Sequence, residues 1–194
     1  MKTAFLIIAS LITIIGVLPY AWDIIKGRSK PNIVSWMTWT LLTGVATAAA
    51  IAGHEYVTAI FTASAVIATG IIVVLGLKYG YVKYTYFDYL CQFGAVVGII
   101  LWQIFDSPTI GVLASVTIDF IGALPTVRHS WQKPSEETWI TYAMSGIGGI
   151  FALLALETYN WISLPYAVYI VLINFILTFI LLYRGRVFAM AKSR

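Results

Sequence analysis

Charge is scarce in this chain: only 10% of its 194 residues are Asp, Glu, Lys or Arg. A soluble domain usually carries about a quarter charged residues, so a water-solvated globule around one core is excluded. With a single cysteine, Cys91, neither an intrachain disulfide nor a thiolate cluster can form. His54 and His129 are the only histidines and fall in loops on opposite sides of the topology derived below, which argues against zinc. One embedded Asp, two distant His and one Cys make no catalytic set, so neither enzyme chemistry nor a cofactor is expected. Spans three to seven hold no embedded Lys, which excludes a retinal Schiff base.

Apolar side chains are abundant instead, at 60% of the chain. Crossing a hydrocarbon layer of roughly 30 Å takes about 20 helical residues. Stretches of that length recur at 3–25, 33–52, 57–77, 84–105, 108–128, 137–156 and 164–183. The expected fold is therefore an all-α membrane protein of seven transmembrane helices. The first stretch lacks a small-x-small cleavage site and stays apolar through Pro19 to Ile25, so it reads as a span rather than a cleaved leader.

Basic residues sort these spans. Lys26, Arg28 and Lys30 follow span one, Lys78 and Lys83 span three, Arg128 and Lys133 span five, and Arg184, Arg186, Lys192 and Arg194 span seven; Lys2 alone lies on the other face. Retention of Lys and Arg on the cytoplasmic side puts the N-terminus outside, with Glu55 and Glu157, and the C-terminus inside. The expected location is the plasma (inner) membrane. The formal charge of +4 then faces anionic lipid rather than nucleic acid. Trp22, Tyr79, Tyr81, Tyr84 and Trp131 at inner ends, with Trp102, Tyr159 and Trp161 at outer ends, form the expected interfacial belt.

The chain repeats itself. Gly16-Val17-Leu18-Pro19-Tyr20 corresponds to Gly122-Ala123-Leu124-Pro125-Thr126 at an offset of 106. Lys30-Pro31 through Trp36 and Trp39 matches Lys133-Pro134 through Trp139 and Tyr142 at an offset of 103, which implies a loop three residues shorter in the second half. Lys78-Tyr79-Gly80 and Tyr183-Arg184-Gly185 suggest that spans three and seven end alike. The expected layout is 3+1+3: a first three-helix repeat at 1–80, a linker helix within 81–106, and a second repeat with a short tail at 107–194. One intervening helix gives the two triple-helix bundles the same orientation, with a binding site between them near the midplane.

The Gly-x-Leu-Pro turn, the short basic loop Lys26-Gly27-Arg28-Ser29-Lys30 and the Ser35-Trp36 opening of span two resemble the PQ-loop motif of the SWEET and PQ-loop transporter superfamily. The motif's Gln is replaced by Tyr20 in one repeat and Thr126 in the other. The resemblance implies two bundles rocking about a central cavity in alternating access, with Pro19 and Pro125 as hinges. Ile118-Asp119-Phe120-Ile121-Gly122 is similar to the Asp-Phe-x-Gly stretch of the cystinosin-like exporters in that superfamily, which implies a proton-coupling role for Asp119. Sugar-moving members use a Trp and an Asn where an ungapped count finds Ala48 and Phe151, then Ser64 and Ile170, which argues against a sugar.

Several residues stand out on physical grounds. A carboxyl at the depth of Asp119 costs about 2.5 to 3.5 kcal/mol on insertion scales, so it should face the bundle interior, where burial disfavours its ionised form. Its repeat counterpart is Thr13. Pro19 and Pro125 each remove a backbone donor and free a carbonyl near Ile15 or Ile121. Asn174 and, roughly opposite, Thr69 can orient a solute or tie helices together; Thr13, Ser64 and Phe151 complete the candidate binding set. Trp36 with Trp39, and Trp139 with Tyr142, share helix faces at i, i+3 and, with Tyr20, gate the cavity or pack.

The function expected is transport of a small polar solute across a lipid bilayer, with protons as a candidate coupled partner. A facilitative sugar uniporter is the alternative within transport, and a non-transporting receptor or scaffold the alternative outside it. Monomer and homo-oligomer both remain open.

Overall fold

The computed structural model describes residues 1–52, 54, 56–102, 108–161 and 163–192, without the side chains of 49, 50, 52, 56–58, 61, 101, 102, 108–111, 188, 189, 191 and 192. Glu55 and Arg194, and the side chains of Trp102 and Lys192, lie outside what is described. Among the described residues every regular element is helical: α1 (Lys2–Ile25), α2 (Ile33–Ala52), α3 (Tyr56–Tyr79), α4 (Tyr86–Trp102), α5 (Pro108–Gln132), α6 (Trp139–Ala155) and α7 (Leu164–Lys192), with a 3₁₀ turn at Pro134–Glu136 before α6. Three segments, Lys2–Ile25, Thr62–Tyr79 and Leu164–Val187, are long and apolar enough to cross a membrane.

Local chemistry explains where the helices begin and end. Gly27, at φ +68°, closes α1 with a Schellman pair: Arg28 N donates to Asp23 O at 2.8 Å and Gly27 N to Ile24 O at 2.9 Å. Asn32 caps α2 by accepting from Val34 N at 3.2 Å. Thr85 and Asp88 form a reciprocal box before α4, with Thr85 N to Asp88 Oδ2 at 2.6 Å and Asp88 N to Thr85 Oγ1 at 3.4 Å. Gly80 turns the chain after α3 at φ +126°, whereas α7 runs on through Gly185. The expectation that these two helices end alike is thus corrected: only one of the two glycines takes the left-handed backbone that terminates a helix.

Packing divides the helices into two threesomes and one extra. α3 packs along both α1 and α2, whose backbones stay apart among the described residues and which meet through the rings of Tyr20 and Trp36; α7 likewise packs along α5 and α6. Between the threesomes, α1 lies on α6 and α2 on α5, while α4 leans on α5 and α2. The core shared by both holds Tyr20, Ile24, Trp36, Ile72, Tyr142 and Leu177. Outward faces are apolar: α1 exposes Ile7, Leu11, Ile15 and Leu18, and α7 exposes Leu172, Ile176 and Phe179. Trp22, Tyr79, Tyr81, Trp131, Tyr159 and Trp161 are exposed near helix ends.

The basic loops meet at one end. Lys30 N donates to Glu136 O at 2.8 Å, Val82 N to Pro31 O at 3.2 Å, Arg128 Nη1 to Thr85 Oγ1 at 3.0 Å and Arg184 Nε to Trp131 O at 3.0 Å. At the opposite end Lys2 Nζ donates to Leu156 O at 2.6 Å and to Glu157 O at 3.1 Å.

Candidate functional site

A cavity of about 150 Å³ lies between the two threesomes. α1 contributes Thr13, α2 Trp36, Trp39 and Thr43, and α3 Ala65 and Thr69; across it stand Asp119 of α5, Tyr142, Ser145 and Gly149 of α6, and Tyr166, Ile170, Ile173, Asn174 and Leu177 of α7. The i, i+3, i+7 spacing on α2 and α6 is one helix face turned inward.

The register of the two halves follows from these positions. Thr13 and Asp119 are 106 apart, as are Trp36 and Tyr142, Trp39 and Ser145, and Thr43 and Gly149. Ile33 and Trp139, which open α2 and α6, are separated by the same interval. The offset of 103 and the shortened loop are therefore corrected: matching Lys30-Pro31 to Lys133-Pro134 slid the second helix by three residues, close to one turn, and aromatic residues at i, i+3 hide such a slip.

Asp119 is 3% exposed, and three donors converge on its carboxyl. Trp39 Nε1 reaches Oδ1 at 3.0 Å, Tyr169 OH reaches Oδ1 at 2.9 Å and Tyr166 OH reaches Oδ2 at 3.0 Å. The acid thus ties α5 to α2 and α7, and the donors replace the water that burial strips from a carboxylate.

Toward the basic end, aromatic side chains close the cavity. Tyr20, Trp36 and Tyr142 are buried, with Tyr20 5.3 Å from Trp36 and Trp36 6.4 Å from Tyr142 between ring centroids. Beneath them Glu137, in the loop before α6, is 7% exposed; its Oε2 accepts from Tyr20 OH at 2.6 Å and from Tyr142 OH at 2.9 Å. Burial pushes this carboxyl up to about 8, against the two phenol donors, which pull it down. Next to it Thr138 donates to Asp23 Oδ2 at 2.8 Å and shares a hydrogen bond with Ser29 at 2.8 Å.

Of the sequence candidates, Asp119, Asn174, Thr69, Thr13, Trp36, Trp39 and Tyr142 share the cavity. Tyr20 lies in the seal below it, and Pro19 and Pro125 sit inside α1 and α5. Three candidates lie elsewhere. Ser64 is buried beside Ala65, outside the cavity lining. Phe151 pairs with Phe5 at 6.1 Å on the α1–α6 side, two positions past the lining Gly149 and so about 200° round the helix. Trp139 is 43% exposed and absent from the cavity lining, although Tyr142 three residues on is part of it. Sequence reasoning missed Glu137, Tyr166, Tyr169, Ser145 and Gly149.

Comparison with protein-family models, curated proteins and solved structures finds no match to this chain.

Proposed function

We propose that this chain is a multi-pass membrane transporter that moves a small polar solute by alternating access. Its seven helices each cross the bilayer, with α1–α3 and α5–α7 as two bundles of equal orientation and α4 as the linker, in the manner of the SWEET and PQ-loop superfamily. The basic end faces the cytoplasm. The observation that carries this reading is the cavity itself, lined from both halves at matched positions. A site on a pseudo-two-fold axis is what two similarly oriented repeats generate, and rocking them about it exposes the solute to each side in turn. The arrangement described corresponds to the state closed at the basic end, with Tyr20, Trp36, Tyr142 and Glu137 as the inner seal. Asp119, the charged group within the cavity lining, is the proton-coupling residue, and Pro19 and Pro125 are the hinges.

Thiol access tests this without knowledge of the solute. In a Cys91→Ser background, Ser145→Cys places a reporter on the cavity wall. In oriented vesicles a membrane-impermeant maleimide should label it from either side, at rates set by how often each end opens. Labelling from one side only would leave a static receptor or scaffold.

A further inference from the structure

The cavity sets one buried acid among aromatic rings, and, granted the transport reading, that pairing specifies the solute. Thr13, Thr43 and Thr69 each give the hydroxyl proton to a main-chain carbonyl one turn back in the same helix: to Ala9 O at 2.9 Å, Trp39 O at 2.7 Å and Ala65 O at 2.8 Å. A hydroxyl engaged in this way presents oxygen lone pairs to its surroundings. Asn174 commits a hydrogen of Nδ2 to Ile170 O at 2.9 Å. The donors of Trp39 and Tyr166 are likewise taken, both by Asp119. What remains is the Thr13 and Thr43 acceptors, one acid, the rings of Trp36, Trp39, Tyr142 and Tyr166, and a few neutral donors: Trp36 Nε1, which has no partner among the described residues, the Ser145 hydroxyl and the second Nδ2 hydrogen of Asn174.

We propose that the transported solute is a small organic ammonium ion, its charge held beside Asp119 and its alkyl body against the aromatic rings. Aromatic faces attract a cation most strongly where water is excluded, and a buried carboxylate completes the neutralisation. An anion would meet Asp119 and lone pairs together. A polyol would find donors in Trp36 Nε1 and Asn174 Nδ2 but would leave the carboxylate of Asp119 without a counter-ion. A bare metal ion needs about six converging oxygens, whereas the Asp119 oxygens already accept three hydrogen bonds. Volume sets the size: about 150 Å³ is the scale of a cavity that admits benzene, hence a solute of roughly six to eight non-hydrogen atoms.

The test is binding of tritiated choline to the purified protein in nanodiscs, with butylammonium and the uncharged carbon isostere 3,3-dimethylbutan-1-ol as competitors. Butylammonium should displace choline, and the alcohol should be at least about tenfold weaker. Asp119→Asn should weaken choline binding about a hundredfold. Equal competition by the alcohol, or no choline binding at millimolar concentration, would overturn the proposal, and the wild-type comparison stands even if the variant folds poorly. The transport reading fails separately: choline binding with one-sided labelling of Ser145→Cys would remove transport and keep the cation site. Two-sided labelling with no preference for charge would do the reverse.

Discussion

Where α1 meets α6, Gly16 faces the Cβ of Met144; where α5 meets α2, its counterpart Gly122 faces Thr38. Beyond these paired glycines the two contacts diverge. The α1–α6 side is pinned from Lys2 with Leu156 and Glu157 at one end to Asp23 and Ser29 with Thr138 at the other, and Tyr20, Glu137 and Tyr142 are linked between. In the constant register, the α5–α2 counterparts of those last three residues are Thr126, Pro31 and Trp36, which cannot reproduce the buried acid and its phenols. There α4 supplies the polar partners instead: Asn32 Nδ2 donates to Asp88 Oδ1 and Thr38 Oγ1 to Gln92 Oε1, both at 3.2 Å. One contact is thus sealed by its own residues, and the other depends on α4. The acid of the cavity follows the same division, since Asp119 stands on the α5–α2 side and only Thr13 opposite it.

The close approaches are the most sensitive points. A Cβ on residue 122 would lie 2.5 Å from Thr38 Cγ2 and 3.0 Å from Thr38 Cβ; one on residue 16 would lie 2.9 Å from Met144 Cβ. Neither neighbour is the free end of a flexible chain. Gly122→Ala should destabilise the protein by about 3 kcal/mol and Gly16→Ala by less, within the usual range for overpacking. Thermal unfolding in detergent measures both, and an unchanged midpoint for Gly122→Ala would show that α2 and α5 are not in close contact.

Glu137 should make the sealed side pH-sensitive. Its carboxyl is raised from 4.5 to about 8, so between those values the folded protein holds a proton that the unfolded chain has released, and stability falls as pH rises across that window. The groups facing it are Tyr20 of α1, Tyr142 of α6 and the adjacent Glu136, which Lys133 and His129 approach at 3.6 and 3.4 Å. Glu137→Gln should lower the unfolding temperature less at pH 8 than at pH 5. A variant whose pH profile parallels the wild type would remove Glu137 as the cause.

On the other side, Trp39 reports on Asp119 through the bond from Nε1 to Oδ1. Its fluorescence should titrate with pH when Asp119 is present and stay flat in Asp119→Asn, in a background where the other six tryptophans are replaced by Phe. A persisting titration would mean another group carries the proton. The smallest effect is expected at Lys2→Met: loss of two exposed hydrogen bonds should cost under about 1 kcal/mol, while hydrogen exchange at the end of α6 should quicken. Unchanged exchange would show that Lys2 does not hold that end.

Much of this was legible in advance, for physical reasons. Apolar runs and their breaks located α1 and α2 almost to the residue, because a helix and the turn chemistry at its ends are local. Asp119 and Thr69 were legible because polarity inside a long apolar run has few explanations. Glu137 was not: beside Glu136 it looks like a loop acid, and only tertiary packing turns one of two neighbouring carboxylates inward. Ser64 and Phe151 were misplaced because their roles came from counting along a resemblance, which does not fix rotation about a helix axis. Tyr166 and Tyr169 were in principle visible as an i, i+3 pair near the start of α7.

Alternating access as proposed requires the two ends of the cavity to open in turn. Spin labels at Lys26 and Ser135 span the basic end of the α1–α6 side, and labels at Thr3 and Thr158 span its opposite end. Pulsed dipolar distances measured in lipid nanodiscs should give two populations at each end, with the share of the long distance at one end matching the share of the short distance at the other. A single distance at both ends, unchanged by pH, would contradict alternating access and leave a rigid bundle.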